Sequence, residues 1–133
     1  MAGAGFIIYS TRDRDLKFLG LVGPQTFQEK HNGLFDIPKG TIEPGEEALS
    51  TALRELEEEA GIVLPRDNYP FINYAGLTIY LAKSEQSAII RPNPVTGIIE
   101  HQMALYIGPS LLEKQVYDYL VPAVRWARDY LSK

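Results

Sequence analysis

From Ala4 to Ser10 the chain runs through apolar, β-branched and aromatic positions with almost no polar break, the pattern of a buried strand. Polar Thr11 to Asp15 predicts a hairpin tip, and Leu16 to Val22 the returning strand. Gly23 to Gly33 holds two glycines, a proline and mixed polar residues, which predicts a loop. A short extended piece, Leu34 to Ile37, runs into Pro38, whose ring biases Ile37 away from the helical region. Glu43-Pro44-Gly45 is a turn signal directly before a predicted helix from about Glu46 to Ala60. There Leu49, Ala52, Leu53, Leu56 and Ala60 recur at the spacing of one helical face. Gly61 stands as the expected stop.

Beyond a loop at Pro65 to Asn68, Phe71 to Lys83 predicts one long strand or two short ones broken near Gly76. Ala88 to Gly97 mixes apolar residues with Pro92, Pro94 and Gly97 and predicts no clear element. Met103 to Ile107 predicts a further strand. A second helix, Tyr119 to Leu131, carries the stripe Leu120, Val124, Ala127 and Leu131, and Pro122 fits only its first turn. Strands on both sides of one helix, with another helix at the end, predict a mixed sheet covered by helices.

A length of 133 residues fits one domain over 1–133, and 45% hydrophobic residues supply an ordinary soluble core. Cysteine is absent, which excludes disulfides, thiolate zinc sites and a cysteine nucleophile, and fits a cytoplasmic location. Met1 to Phe6 lacks the basic start and long apolar stretch of a signal peptide. No run approaches the roughly 18 apolar residues of a membrane span, so no membrane partner is expected. A net charge of −4 argues against non-specific duplex binding but not against a small anionic substrate.

The chemistry concentrates in GTIEPGEEALSTALRELEEEAGI, Gly40 to Ile62. Glu55, Glu58 and Glu59 stand at i, i+3 and i+4 and share one helix face. At 100° per residue that face lies about 115–120° from the apolar stripe, which predicts carboxylates looking out along a rim. A Glu-rich run is ordinarily a solvated face. Crowded carboxylates repel by roughly 0.2–0.5 kcal/mol per pair, and a hard divalent cation such as magnesium or manganese removes that penalty.

The whole pattern, Gly40, Glu46, Arg54-Glu55-Leu56, Glu58-Glu59 and Gly61-Ile62, resembles the signature of the Nudix hydrolases at every position. Nine such matches arise by chance in on the order of one chain in 10⁷–10⁸. The resemblance implies an α/β/α sandwich with a mixed sheet. It implies Mg²⁺ or Mn²⁺ held by Glu55, Glu58, Glu59 and the Gly40 carbonyl, with Glu55 a candidate base and the three carboxylates catalytic. Glu46 and Arg54 are implied as structural members of the box.

Upstream, Gly33-Leu34-Phe35-Asp36-Ile37-Pro38-Lys39-Gly40 is similar to the G-x-W-x-x-P-K-G lead-in of the diadenosine tetraphosphate hydrolases, with Phe35 in place of tryptophan. That likeness implies that Lys39 meets a substrate phosphate. Glu100-His101 is similar to the E-H pair of the same subfamily, so Glu100 is a further expected ligand or base and His101 a substrate-binding residue. His31 has no partner identifiable from sequence. In Thr78 to Ala82, Ile79 stands where that subfamily has a stacking tyrosine, and Tyr80, expected on the opposite side of its strand, is either a base-stacking group or core. The expected activity is cleavage of a phosphoanhydride in a dinucleoside polyphosphate, giving ATP and AMP from diadenosine tetraphosphate. The alternatives are an RNA 5′-pyrophosphohydrolase or decapping-type enzyme, a hydrolase of ADP-ribose, inositol pyrophosphates or oxidised nucleotides, and a non-catalytic nucleotide-sensing module.

Overall fold

Along the first strand the side chains alternate between two cores. The computed structural model describes residues 2–133, so Met1 of the N-terminal stretch lies outside the described residues. In β1 (Gly3–Ser10), Ala4, Phe6 and Ile8 enter one cluster while Ile7 enters the other. All four are fully buried, as expected of a strand covered on both faces.

β1 and β2 (Lys17–Val22) pair only near their shared turn, at Tyr9↔Phe18 and Ser10↔Lys17, and then diverge. The segment that follows is wedged into the fork. β3 (Phe35–Asp36) pairs with β2, and β4 (Lys39–Thr41) pairs with β1, both antiparallel. Pro38 falls at the crossing between the two, where no ladder N–H is required of it, and its carbonyl accepts the Phe6 N–H at 3.0 Å.

β6 (Leu77–Lys83) lies parallel to β1 and carries β5 (Phe71–Tyr74) as an antiparallel hairpin partner. β7 (Met103–Ile107) pairs with the far edge of β2. The result is a seven-stranded mixed sheet.

Four helices among the described residues complete the fold. Two were not expected. α1 (Gln25–His31) occupies the predicted loop and buries no residue, and α3 (Pro109–Gln115) buries only Leu112. Neither has an apolar stripe to betray it. The main helix, α2 (Ala48–Ala60), ends at Gly61 with φ 67°, a left-handed cap that glycine adopts without strain. The last, α4 (Val121–Leu131), follows a 3-10 turn at Asp118–Leu120 and keeps Pro122 in its first turn. Ala52, Leu56 and Ala60 of α2 pack on Ala4, Phe6, Ile8, Leu19 and Leu21. Leu112, Leu120, Val124 and Ala127 cover the opposite face over Ile7, Phe18, Ile37 and Ile79. No helix among the described residues is long and apolar enough to cross a membrane.

Candidate active site

The forked sheet sets Lys39 and Gly40 beneath α2. The arc that α2 buries includes Ala52, Leu56, Glu59 and Ala60, while Leu49 and Leu53 stay half-buried. The helix is therefore turned by roughly 50° from the orientation its leucines predict, toward its carboxylates. Glu59 does not look out along a rim: it is 8% exposed, and its Oε1 accepts the Lys39 backbone N–H at 3.3 Å.

Glu55 is half-buried beside it, with its carboxylate resting on Gly40. A Cβ at residue 40 would overlap that carboxylate, so the Glu55 carboxylate keeps this position only over a glycine. Burial, then the hydrogen bond that the protonated Glu59 donates to Glu55 and the charges of Glu55 and Asp36, push the Glu59 carboxyl up to about 10. Burial also raises Glu55, helped by the charges of Glu58 and Glu100 and opposed by Glu59 and Arg54. Two carboxyls so crowded must share a proton or be met by a cation.

Arg54 organises the exposed side. Its Nε and Nη2 donate to the two oxygens of Glu46 at 2.9 and 3.0 Å, a bidentate clamp. Glu46 also accepts from the Thr51 hydroxyl at 2.6 Å and the Glu43 N–H at 3.2 Å. The Arg54 hydrogen bonds lead in pulling its carboxyl down to about 2, with Thr51 and Glu43 following. Arg54 Nη1 reaches Glu55 at 3.2 Å and Glu58 at 3.4 Å, so the clamp ties the turn before α2 to two of its carboxylates.

A second buried cluster adjoins the first. Asp36, 6% exposed, accepts the Ile37 N–H at 2.8 Å and pairs with Lys39 Nζ at 3.1 Å. Its other oxygen lies 3.1 Å from His101 Nε2. Burial alone would raise the Asp36 carboxyl, but His101 and Lys39 more than offset it and hold it below its ordinary value. Burial likewise opposes charge on Lys39, and Asp36 overrides it, keeping the ammonium above its usual range. Sequence reasoning missed Asp36, because the lead-in pattern leaves its position free.

Gly40, Lys39, Glu55, Glu58 and Glu59 are thus gathered at one place, with His101 joined through Asp36. Glu100 is exposed but close enough for its charge to act on Glu55. Tyr80 stands apart. Its ring packs against Phe6 and Phe71, with centroids 5.5 and 5.6 Å away, in a recess shared with Leu49, Tyr69 and Tyr130. The charges that act on its hydroxyl are those of Glu47 and Arg66. His31 has partners after all: Asp118 at 3.9 Å and the Tyr119 ring at 5.0 Å.

Among the described residues, no three acidic or histidine side chains close around one point as a finished cage. The donor set nonetheless suits a hard divalent ion. Half-buried Glu55 and buried Glu59 are oxygen donors whose mutual repulsion a cation relieves, and magnesium keeps several waters and draws on substrate phosphates for the rest.

Residues 1–112 match the family model described as NUDIX domain. Over 58 residues the chain is 41% identical to an RNA pyrophosphohydrolase from Erythrobacter litoralis, a match that takes in 38% of this chain and 35% of that protein. The matched stretch therefore covers about a third of that relative's length. Among solved structures, a C. elegans Ap4A hydrolase binary complex is similar with a TM-score of 0.71 and 22% identity, covering 98% of each chain. The NUDIX domain of Shewanella oneidensis NrtR, complexed with ADP ribose, gives a TM-score of 0.72 at 20% identity, covering 98% of this chain and 88% of that one. At such identities the two structures share the fold, and their ligands belong to them alone.

Proposed function

The chain belongs to the Nudix hydrolase family, and from that premise we propose that it is a magnesium-dependent pyrophosphohydrolase of dinucleoside polyphosphates, releasing ATP and AMP from diadenosine tetraphosphate. The observation that carries the reading is the Glu55–Glu59 pair, buried against Gly40 beside the Lys39 backbone. Buried carboxylates with raised protonation, in a site that also holds a lysine, suit both an ion and an anionic substrate.

Glu55, Glu58, Glu59, the Gly40 carbonyl and Glu100 would hold the ion. When bound there, a divalent ion supplies Lewis acidity toward phosphoryl oxygens and water. Glu55 takes the proton of the attacking water as its oxygen bonds to phosphorus and the P–O–P bridge breaks. Lys39 meets the phosphate chain as a compact point charge, equally in the bound substrate and in the transition state. Arg54 and Glu46 touch no reacting atom in this scheme; they fix the helix that presents the carboxylates.

The Glu100-His101 pair favours the dinucleotide, whereas the lead-in ending in Pro38-Lys39-Gly40 is also found in hydrolases of RNA 5′ ends. A second reading, removal of pyrophosphate from an RNA 5′ end, is favoured by the local likeness to the Erythrobacter litoralis enzyme. Initial rates on diadenosine tetraphosphate and on 5′-triphosphorylated RNA, at equal magnesium, separate the two. A higher kcat/KM on the dinucleotide with ATP and AMP as products supports the first. Preference for the RNA overturns it in favour of the second, and tight binding without turnover of either reveals a nucleotide-sensing module.

A further inference from the structure

One carboxylate touches both Lys39 of the lead-in and His101 of the Glu100-His101 pair. Asp36 sits on β3 at the fork of the sheet, almost without solvent contact. Its Oδ1 lies 3.1 Å from Lys39 Nζ, and its Oδ2 lies 3.1 Å from His101 Nε2. The Ile37 N–H, also bound to Oδ1, fixes the plane of the carboxylate. A neutral asparagine or threonine would serve that N–H as well. What the anion adds is a partner for an ammonium.

Lys39 is held from a second side by the Tyr119 ring, 5.4 Å from Nζ. A free lysine has a flexible four-carbon stem and loses that freedom on meeting a phosphate. Here most of that freedom is gone before any substrate arrives. The ammonium has three donors, so pairing with Asp36 leaves others for a ligand. In His101, Nε2 faces Asp36 and Nδ1 remains.

We propose that Asp36 is a positioning residue. It fixes the Lys39 ammonium where the phosphate chain of the substrate is met and orients the His101 ring, without touching substrate itself. The inference rests on the role given to Lys39 under the proposed function.

The test is a double-mutant cycle. Wild type, Asp36→Asn, Lys39→Met and the double variant are compared for kcat and KM on diadenosine tetraphosphate, for Tm, and for the Nζ signal of Lys39 in ¹⁵N-labelled protein. Positioning predicts that Asp36→Asn raises KM about tenfold while kcat stays within about threefold, the signature of lost uniform binding. It also predicts that Asp36→Asn does nothing further once Lys39 is methionine, and that the slowly exchanging Nζ signal disappears. An unchanged KM with a lower Tm would mean that Asp36 is only scaffold, and additive losses would mean that it does not act through Lys39; either overturns the proposal.

If Asp36→Asn alone does not fold, the double variant, which leaves neither charge unpaired, is set against Lys39→Met. Equal KM values support positioning, and a further rise overturns it. If wild type leaves diadenosine tetraphosphate intact, the substrate reading fails on its own. Binding of inorganic tripolyphosphate, followed across the same four proteins, then decides the role of Asp36: loss of affinity in Asp36→Asn only when Lys39 is present supports it, and unchanged affinity overturns it.

Discussion

The carboxylate of Glu55 rests on the α-carbon of Gly40, close enough that any side chain at residue 40 would displace it. The backbone of β4 and a carboxylate of α2 are thereby held side by side. Gly40→Ala is expected to cost little stability, because the flexible end of the Glu55 side chain can swing away from the added methyl. The displaced carboxylate is expected to lower kcat/KM on the order of a hundredfold. Urea unfolding and steady-state kinetics on the same preparation check both, and the activity loss should exceed any loss of folded protein.

Glu46 gives the fold an acid limb. Its folded carboxyl lies at about 2 against an ordinary 4.5, chiefly through Arg54. A depressed folded value contributes stability that is present above the unfolded value and lost as pH falls through the folded one. Wild type should therefore melt above Glu46→Gln at neutral pH, and the gap should close between about pH 4.5 and pH 2. A gap in Tm that stays constant across that window would show that Glu46 acts without its charge.

Glu59 works in the opposite direction when no cation is added. Its folded carboxyl, at about 10 against 4.5, gives stability that is complete below the unfolded value and lost as pH rises through the folded one. Metal-free wild type should lose Tm between about pH 5 and pH 10, whereas Glu59→Gln should be flatter and more stable at the alkaline end. Each kcal/mol of difference appears as about 3–5 °C in a domain of this size. Magnesium should raise the wild-type Tm near neutral pH and release protons as it binds, which calorimetry in buffers of different ionisation enthalpy would detect.

Much of this arrangement is legible in the sequence. Met103–Ile107, the hairpin of β1 and β2, the break near Gly76 and the stop at Gly61 all fall where residue patterns put them. α1 and α3 escaped notice because a helix that buries none or one of its residues leaves no periodic trace. β4 escaped for another reason: Lys39, Gly40 and Thr41 pair through backbone alone. The burial of Glu59 ran against its chemical type, since Leu49 and Leu53 pull the predicted face away from it. Asp36 depends on a contact with His101, 65 residues away, that no local pattern encodes.

The central claim is that the α2 carboxylates carry phosphoanhydride cleavage. Its most direct test is turnover of diadenosine tetraphosphate by purified wild type and Glu58→Gln, each with magnesium and with EDTA. Among the described residues Glu58 hydrogen-bonds only to Arg54, so its loss should spare the fold. Wild-type turnover should need magnesium, and it should fall roughly a hundredfold or more in Glu58→Gln at nearly unchanged Tm. Equal rates in the two proteins, or full wild-type activity in EDTA, would contradict it.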